Sequence, residues 1–208
     1  MIIIINLSTF YLFCLALVNE IDILQRVQLS VELTGVKPAN GPAVGQTAFK
    51  LKPSKRDISA GTVQTEPLVA ALRRSSGFVM SATVLQDPKN RGTIVSFDKS
   101  KNERAFALHL SRRENAAILQ YMVNDGSYSY ETEVRFEDLH ADPNSRVWHT
   151  YVLEVNGNLA QLYVDCELRG LQLLESTFYA DMDPEQPWDL RVGKGILGRT
   201  GIADFRVS

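Results

Sequence analysis

The stretch from Trp148 to Asp165, WHTYVLEVNGNLAQLYVD, carries the clearest strand-and-turn pattern of the sequence. On each side of its centre, apolar side chains alternate with polar ones, which is the pattern of a strand with one buried face. Asn156, Gly157 and Asn158 separate the two runs, and an Asn-Gly pair in this position is a strong signal of a tight hairpin turn. The stretch therefore predicts two antiparallel strands, and we expect the large ring of Trp148 to lie buried between sheets.

Short apolar segments of the same kind recur along the rest of the chain and are separated by turn residues. Many short strands with regular turns are typical of a β-sandwich or a β-barrel, and 208 residues are enough for one such domain. Loops are predicted over 37–45 and 181–187. The predicted strands are VQLSVEL (27–33), TAFKL (47–51), GFVMSATVL (77–85), GTIVSFD (92–98), RAFALHL (104–110), AAILQYMV (116–123), YSYETEVRF (128–136), VWHTYVLEV (147–155), LAQLYVD (159–165), WDLRVG (188–193) and IADFRVS (202–208).

One segment, TEPLVAALRRSSG (65–77), departs from the strand pattern and predicts one short helix. Leu68 and Leu72 fall on one face at helical spacing. Thr65 is the predicted N-cap, and Pro67 then lies in the first turn, where proline is tolerated. Two arginines in the last turn and a glycine just beyond it suit a helix end. We therefore expect one helix docked on an all-β body.

The apolar start of the chain, MIIIINLSTFYLFCLALVNE, predicts a secretory leader. This run is too short and too near the start for a comfortable membrane span, so a signal peptide over 1–19 and a domain over 20–208 fit better. An uncleaved anchor or a misassigned start are the alternatives. Cleavage would remove Cys14, leave no membrane span, and leave Cys166 alone in an oxidising compartment, where an odd thiol suggests a missing partner.

Charge and motif content argue against several kinds of site. A net charge of −2 argues against a polycation that binds nucleic acid by charge alone. The segment GKGILG (193–198) has the spacing of a dinucleotide loop, but a strand follows it where a helix is needed, so we interpret it as a hairpin loop. No cofactor or metal is predicted, because the three histidines lie far apart and the acidic loop fits a solvated loop better than a calcium site. That loop carries Asp181, Asp183, Glu185 and Asp189.

Catalytic motifs are absent from the sequence. Cys166 is predicted to lie in mid-strand between Asp165 and Glu167, whose negative charge disfavours a reactive thiolate. No Gly-x-Ser-x-Gly segment is present. Carboxylates are common, however, so a glycoside hydrolase whose two acids meet only in space stays an alternative.

Lysine and arginine occur in short groups along the chain. Such groups bind sulfated polysaccharides through their field and through bidentate arginine contacts. They also serve as edge charges that keep strands from pairing with neighbouring molecules, and the residues alone favour this second interpretation. The groups are Lys50, Lys52, Lys55 and Arg56; Arg73 and Arg74; Lys89 and Arg91; Lys99, Lys101 and Arg104; and Arg112 and Arg113.

Five segments, in chain order, resemble the thrombospondin N-terminal domain, a laminin-G-like sandwich. The hairpin that ends in LAQLYVDCELRG (159–170) is the most recognisable of them. The resemblance covers nearly all of the chain after the leader. The same module opens secreted matrix proteins such as thrombospondins, fibrillar collagens and NELL-type proteins. The five segments are LSVELTGV (29–36), TAFKL (47–51), GFVMSATVLQDPKNRGTIVSFD (77–98), VWHTYVLEVNGNLAQLYVDC (147–166) and WDLRVGKGILGRTGIADFRV (188–207).

This resemblance implies an antiparallel β-sandwich of the laminin-G or concanavalin-like jelly-roll type with one short helix. It also implies a secreted, non-catalytic module of the extracellular matrix that binds heparan sulfate or another sulfated glycan, or matrix and cell-surface proteins. A carbohydrate-active enzyme on a sandwich fold and a purely structural N-terminal domain are the alternatives. In the family, the cysteine after Val-Asp bonds a second cysteine beyond the closing strand, so Cys166 is expected to have a partner outside this sequence.

The resemblance also places a glycan site. The family's basic turn corresponds to DPKNRG (87–92), which keeps Lys89 and Arg91. Arg112 and Arg113 lie between two other predicted strands, and we add them as candidates from the residues themselves. The sequence therefore predicts that these four side chains form one electropositive patch for a sulfated glycan.

Overall fold

The fold is an antiparallel β-sandwich, which confirms the predicted class. The computed structural model describes residues 2–4, 20–28, 30, 32–33, 35–51, 58–75, 77–99, 104–124, 126–177, 182, 185–193 and 205–207. Its helices are α1 (Ile23–Arg26) and α2 (Thr62–Arg74). Its strands are β1 (Ile2–Ile4), β2 (Glu20–Asp22), β3 (Val36–Asn40), β4 (Thr47–Leu51), β5 (Ile58–Ser59), β6 (Gly77–Gln86), β7 (Arg91–Asp98), β8 (Arg104–Ser111), β9 (Ala116–Asn124), β10 (Ser129–Phe136), β11 (Trp148–Asn156), β12 (Leu159–Val164), β13 (Glu167–Leu173), β14 (Asp189–Val192) and β15 (Phe205–Val207).

The strands form two sheets. The larger sheet has the order β13-β12-β11-β6-β15-β4-β3, with β1 beside β6 and β2 beside β1. The smaller sheet has the order β10-β9-β8-β7-β14-β5. Among the described strands, only β1 pairs in parallel, with β2 and β6. The strands β13 and β10 are therefore edge strands, and both lie on the same open side of the sandwich, because Gln172 of β13 donates to the Arg135 carbonyl of β10.

The core lies between the two sheets and is built from alternate side chains of their facing strands. Phe106 of β8 meets Phe78 of β6 edge to face, with ring centroids 6.0 Å apart. It also contacts Phe97 of β7 at 6.0 Å. All three rings are buried, and full burial of a phenylalanine contributes about 1.5–3 kcal/mol to folding. The hydrophobic alternation seen in the sequence therefore corresponds to the contact between the sheets.

Helix α2 begins four residues earlier than the sequence predicts. Gly61 is the N-cap residue, and the prediction that Thr65 caps the helix is wrong. Thr65 lies fully buried within the helix, where its hydroxyl donates to the Gly61 carbonyl and accepts from the Leu190 N–H. Leu68 and Leu72 face the core, as the spacing predicts. Thr65 therefore attaches the helix to β14 instead of starting it.

The hairpin of β11 and β12 forms as predicted, with Gly157 at a positive φ of 60° in the turn. The prediction that Cys166 lies in mid-strand is wrong. Val164 pairs with Glu167, so Asp165 and Cys166 form a two-residue turn with φ of 51° and 70°. Positive φ at both central residues is the geometry that matches the twist of a hairpin. The Cys166 thiol is exposed in this turn, and its disulfide stays a prediction.

The prediction that Trp148 is buried between the sheets is also wrong. Tyr151, Leu153 and Val155 are the buried side chains of β11, so the side chain three positions before Tyr151 belongs to the opposite face. Trp148 is accordingly half-buried on the outer face. The buried indole is that of Trp188, just before β14, which is 6% exposed.

The prediction of a strand over 27–33 is wrong for the residues of this range that the structure describes. Val27 ends α1, its N–H donates to the Ile23 carbonyl, and Gln28 has a φ of 51°. The first strand of that region is β3, most of which lies in the predicted loop 37–45 and which contains Pro38. Proline is compatible with an edge strand, since its missing N–H can face away from the sheet. Strand β3 is such an edge.

Several predictions fall on residues outside the described part of the chain. They include the leader over 5–19, the glycine-rich segment beyond Gly193, and the charged residues Lys52, Lys55, Arg56, Lys101, Asp181 and Asp183. Neither helix in the described ranges is long and apolar enough to cross a membrane.

Candidate functional site

The two predicted basic turns lie at one corner of the sandwich. Strands β7 and β8 are antiparallel neighbours, and Arg91 at the start of β7 pairs with Ser111 at the end of β8. The Arg112 N–H donates to the Asn90 carbonyl at 3.0 Å, which joins turn 87–90 to turn 112–115. Strand order therefore brings Lys89 and its neighbours beside the second turn. We call turns 87–90 and 112–115, with loop 137–147, the basic corner.

The four candidate side chains have different exposures at this corner. Lys89 and Arg113 are exposed, and among the described residues neither has an acidic partner within 4 Å. Arg91 is 19% exposed and pairs with Glu114. Arg112 is only 3% exposed. Two of the four therefore present their charge directly to solvent.

Arg112 holds the loop 137–147 against the sandwich. Its Nη2 donates to the carbonyls of Asp142 and Ser145, at 3.2 Å and 2.9 Å, and to the Ser145 hydroxyl at 2.9 Å. Asn115 adds two hydrogen bonds to the backbone of His140 in the same loop. Arg112 therefore supports the corner from inside, as a buried guanidinium that holds the loop through these bonds, and any contact of Arg112 with a ligand stays a prediction.

The sequence did not reveal two further arginines that lie at the corner. Arg146 of the loop is 56% exposed and pairs with Asp87. Arg135, at the end of β10, lies 3.2 Å from Glu114, the same carboxylate that pairs with Arg91. Neither arginine belongs to a local run of basic residues, so only the strand order could reveal them. Asp87 and Glu114 pair with these arginines, and the loop adds three exposed carboxylates, Glu137, Asp138 and Asp142. The exposed basic side chains of the corner without a described ion pair are Lys89 and Arg113.

Two histidines and a tyrosine lie behind the loop. His140 Nε2 is 2.9 Å from the Tyr151 hydroxyl, and the His140 ring lies 4.1 Å from that of His149. Burial, with the nearby Arg112, lowers the pKa of His140 to about 3, and burial raises the pKa of Tyr151. His149 Nδ1 lies 2.6 Å from Asp165 Oδ2, in the turn after β12. These groups are neutral or paired and connect the loop to β11.

A second group of polar side chains crosses the outer face of the smaller sheet. The imidazole of His109 hydrogen-bonds Thr93 through Nδ1 at 2.8 Å and Gln120 through Nε2 at 2.5 Å. Gln120 Oε1 can only accept, so the network assigns the proton to Nε2. Burial lowers the pKa of His109 to about 4, an effect that Arg104 reinforces and that the Gln120 bond opposes. This imidazole is therefore neutral at pH 7.

The carboxylates that come together on this face are already bound by arginines. Asp98 and Arg104 form a buried pair at 3.2 Å, and Arg191 contacts both Asp98 and Asp189. Ser59 donates to both oxygens of Asp189. A glycosidase needs one carboxyl group that is free to protonate the leaving oxygen, and these two do not offer it. In the part of the chain that the structure describes, no group of three or more His, Cys, Asp or Glu side chains is placed to hold a metal ion.

No family model matches the chain, but sequence relatives do. It is 29% identical to chicken thrombospondin-2 over 180 residues, which is 86% of this chain and 15% of that protein. It is 30% identical to protein kinase C-binding protein NELL2 of Xenopus laevis over 159 residues, or 76% of this chain and 19% of that protein. Human protein kinase C-binding protein NELL1 is 26% identical over 147 residues, or 71% and 17%. The chain thus spans less than a fifth of these relatives.

Solved structures share the fold. A structure of botulinum neurotoxin type C, from work on its interaction with two ganglioside molecules, has a TM-score of 0.52 at 15% identity, over 82% of this chain and 39% of that one. The binding domain of botulinum neurotoxin DC in complex with rat synaptotagmin II also scores 0.52, at 14% identity, over 83% and 40%. The sandwich and the sequence relatives together identify this chain as a thrombospondin N-terminal-like, laminin-G-like domain of a secreted extracellular matrix protein.

Proposed function

We propose that this domain is a non-catalytic binding module whose basic corner binds a sulfated glycan, with heparan sulfate as the leading ligand. The observation that carries the proposal is the meeting of two turns that expose Lys89 and Arg113 without a described acidic partner. Arg91 adds a partly screened charge. Arg112 acts as a positioning residue, because it fixes the loop beside both turns.

The chemistry of the corner suits a sulfate group. An arginine fork binds two oxygens of a tetrahedral anion at once, whereas a lysine acts as a point charge that needs little geometry. Binding at the micromolar level requires about −8 kcal/mol in total. Exposed contacts of this kind, aided by release of counterions from a linear polyanion, supply energies of that size only at low to moderate salt. Asp87, Glu114 and the exposed loop carboxylates Glu137, Asp138 and Asp142 lower the expected affinity.

Heparin affinity chromatography tests the proposal. The parent chain is expected to be retained at low salt, and a Lys89→Ala/Arg113→Ala variant is expected to elute at lower salt. A Lys37→Ala/Arg74→Ala variant is the matched control, since it removes one exposed lysine and one exposed arginine from β3 and α2, outside the corner. A parent chain that flows through at low salt rejects the glycan proposal. Equal elution of both variants would show that these two residues are the wrong ones.

A matrix or cell-surface protein is the second candidate ligand. It is favoured by three exposed leucines on the edge strand β13, namely Leu168, Leu171 and Leu173, which are 53%, 51% and 68% exposed. Apolar side chains on an exposed sheet edge are typical of a protein contact. This surface lies on β13, whose Gln172 donates to the Arg135 carbonyl beside the basic corner. Failure to bind heparin would make a protein ligand the better proposal.

Catalysis and a purely structural role are the remaining alternatives. We favour a non-catalytic role because Asp98 and Asp189 are bound by arginines, so neither is a free general acid. A structural role would leave the exposed charges at Lys89 and Arg113 without a ligand. Incubation with a panel of glycans, followed by mass spectrometry, tests the catalytic alternative, because a cleaved glycan would establish an enzyme.

We further propose that the leader over 1–19 is removed, that 20–208 is the mature domain, and that Cys166 forms a disulfide with a cysteine outside this sequence. The exposed turn position of Cys166 leaves its sulfur accessible for such a bond. Removal of the leader would also remove β1 from its place beside β6. N-terminal sequencing of the secreted protein is expected to begin between about Leu17 and Ile21, within the usual leader length. A chain retained intact in the cytosol would contradict the leader.

A further inference from the structure

A pair of tyrosines stands on the open side of the sandwich, away from the basic corner. Tyr128 precedes β10 and is 63% exposed, and Tyr130 lies two residues later in the strand. Their ring centroids are 5.6 Å apart and the planes are tilted by 39°. The two rings therefore form a shallow aromatic surface with at least one ring open to solvent.

A carboxylate is held beside these rings. Glu175 follows β13, and its Oε2 accepts from the Tyr130 hydroxyl at 2.8 Å, while its Oε1 accepts from Thr132 at 3.1 Å. Its backbone N–H donates to the Tyr121 hydroxyl at 2.8 Å. In the described part of the chain no lysine or arginine pairs with Glu175. We call Tyr128, Tyr130 and Glu175 the tyrosine–glutamate site.

Glu175 is the acidic group of this site. Glu131 and Glu133 are exposed on β10 but lie on the face opposite to Tyr130, so they do not line the site. Because Glu175 has no basic partner in the described part of the chain, a sulfated ligand would be repelled there, and the site is not a continuation of the basic corner.

We propose that the tyrosine–glutamate site binds an organic cation, either an ammonium or a guanidinium group. The negative face of an aromatic ring attracts a cation placed over it, and an adjacent carboxylate adds a direct ion pair. Each Glu175 oxygen keeps a second acceptor position after its bond to a hydroxyl. Because its two donors already fix the carboxylate, little further order is lost when a cation arrives. The proposal is independent of the glycan function of the basic corner.

We assign the cation to a lysine or arginine side chain of a partner protein, because its N–H groups can donate to the acceptor positions that Glu175 keeps. The choline head group of a lipid is a quaternary ammonium that aromatic surfaces also bind, but it has no N–H to donate. The experiment therefore includes a lipid arm, whose positive outcome would contradict this assignment.

Nuclear magnetic resonance of the whole chain, with tyrosine rings labelled, tests the proposal. N-acetyl-arginine amide is the charged probe, and N-acetyl-citrulline amide is its uncharged counterpart of nearly equal shape. We expect the charged probe to shift the Tyr128 and Tyr130 resonances in a saturable manner, with about tenfold weaker binding of the uncharged one. Equal shifts from both probes, or none from either cation arm, would overturn the proposal.

Variants decide whether the named residues carry the binding. Tyr128→Ala and Glu175→Gln are each expected to weaken the charged probe about tenfold, because each removes one of the two attractions. Tyr163→Ala is the control, since this tyrosine lies on the outer face of β12, outside the site. The assignment would be overturned if the probe still shifted the Tyr130 resonances in Tyr128→Ala and if both variants bound the charged probe with unchanged affinity. Far-ultraviolet circular dichroism checks that each variant folds.

The lipid arm uses vesicles of phosphatidylcholine, compared with vesicles of phosphatidylglycerol, which lacks the choline. Shifts with phosphatidylcholine vesicles but not with the arginine probe, lost in Tyr128→Ala, would overturn the proposal in favour of a lipid head group. Shifts with the arginine probe but with neither vesicle support it and identify a basic protein partner. Shifts with both vesicle types show general adsorption of the protein to membranes. If they occur without a response to the arginine probe, they overturn the proposal.

Discussion

His109 shows how one buried side chain connects the outer face of the smaller sheet to the stability of the whole domain. The ring is 1% exposed, and both of its nitrogens have hydrogen-bond partners. The partners suit the neutral ring, because Thr93 must donate to Nδ1 once Nε2 donates to Gln120. Protonation would place a second donor opposite the Thr93 hydroxyl and bring a buried charge close to Arg104.

Stability is therefore expected to fall as the pH drops below neutrality. The pKa of His109 is about 4 in the folded chain and 6.5 in the unfolded chain, so the unfolded chain takes up the proton first. The contribution is complete above about pH 6.5 and is lost as the pH falls towards 4. Between pH 7 and pH 5 the loss from this residue is about 2 kcal/mol.

Urea denaturation of the parent chain and of His109→Gln, at pH 7 and pH 5, measures this effect. The variant loses stability at both pH values, and the informative quantity is the difference between them, which should shrink by about 2 kcal/mol. The remaining pH dependence includes that of His140, whose pKa is also lowered. An equal pH dependence in parent and variant would contradict the neutral, buried imidazole.

The two tryptophans are expected to differ in energetic importance, contrary to the sequence prediction. Trp188→Ala should cost about 3–5 kcal/mol, because the indole is buried and its removal leaves a cavity. Trp148→Ala should cost about 1 kcal/mol or less, because the ring lies on the outer face. Chemical denaturation of both variants measures the two costs. A larger loss at Trp148 would mean that this ring, and with it the facing of β11, is misplaced.

At the scale of elements, the loop 137–147 depends on a single buried arginine. Arg112→Ala would leave the carbonyls of Asp142 and Ser145 without their donor. We expect a loss of about 2–3 kcal/mol and faster amide hydrogen exchange in the loop. Arg113→Ala, one residue away and exposed, is the control and should stay within about 0.5 kcal/mol of the parent. Similar denaturation midpoints for both variants would contradict the anchoring role of Arg112.

Local sequence predicted the elements whose turn chemistry is explicit. Gly157 and Asn158 form the two-residue turn of the β11–β12 hairpin, and the alternation of apolar residues specifies β6 to β10. It failed at β3, where Pro38 indicates a loop unless the strand is known to lie at an edge. Local sequence also failed to predict the turn at Cys166. The register between β12 and β13 decides which two residues form the turn, and register depends on both strands.

At the scale of the whole molecule, the class of fold followed from the repeated strand pattern, and the site followed only in part. The resemblance to a known family supplied Lys89 and Arg91, and a guess from the residues supplied Arg112 and Arg113. Strand order then gathered both turns at one corner. Which of the four is exposed depends on loop 137–147, on Asp87 and on Glu114, and these lie far apart in the sequence.

If the exposed charge at the basic corner binds a sulfated glycan, as we propose, the affinity must fall with salt in proportion to the number of ionic contacts. The measurement is the affinity for a defined heparan sulfate decasaccharide over about 50 to 200 mM salt. Each lost ionic contact lowers the slope of log affinity against log salt by about one. Lys89→Ala/Arg113→Ala should therefore lower the slope by about two, while Lys37→Ala/Arg74→Ala leaves it unchanged. Equal slopes in the two variants would contradict the basic corner as the binding surface.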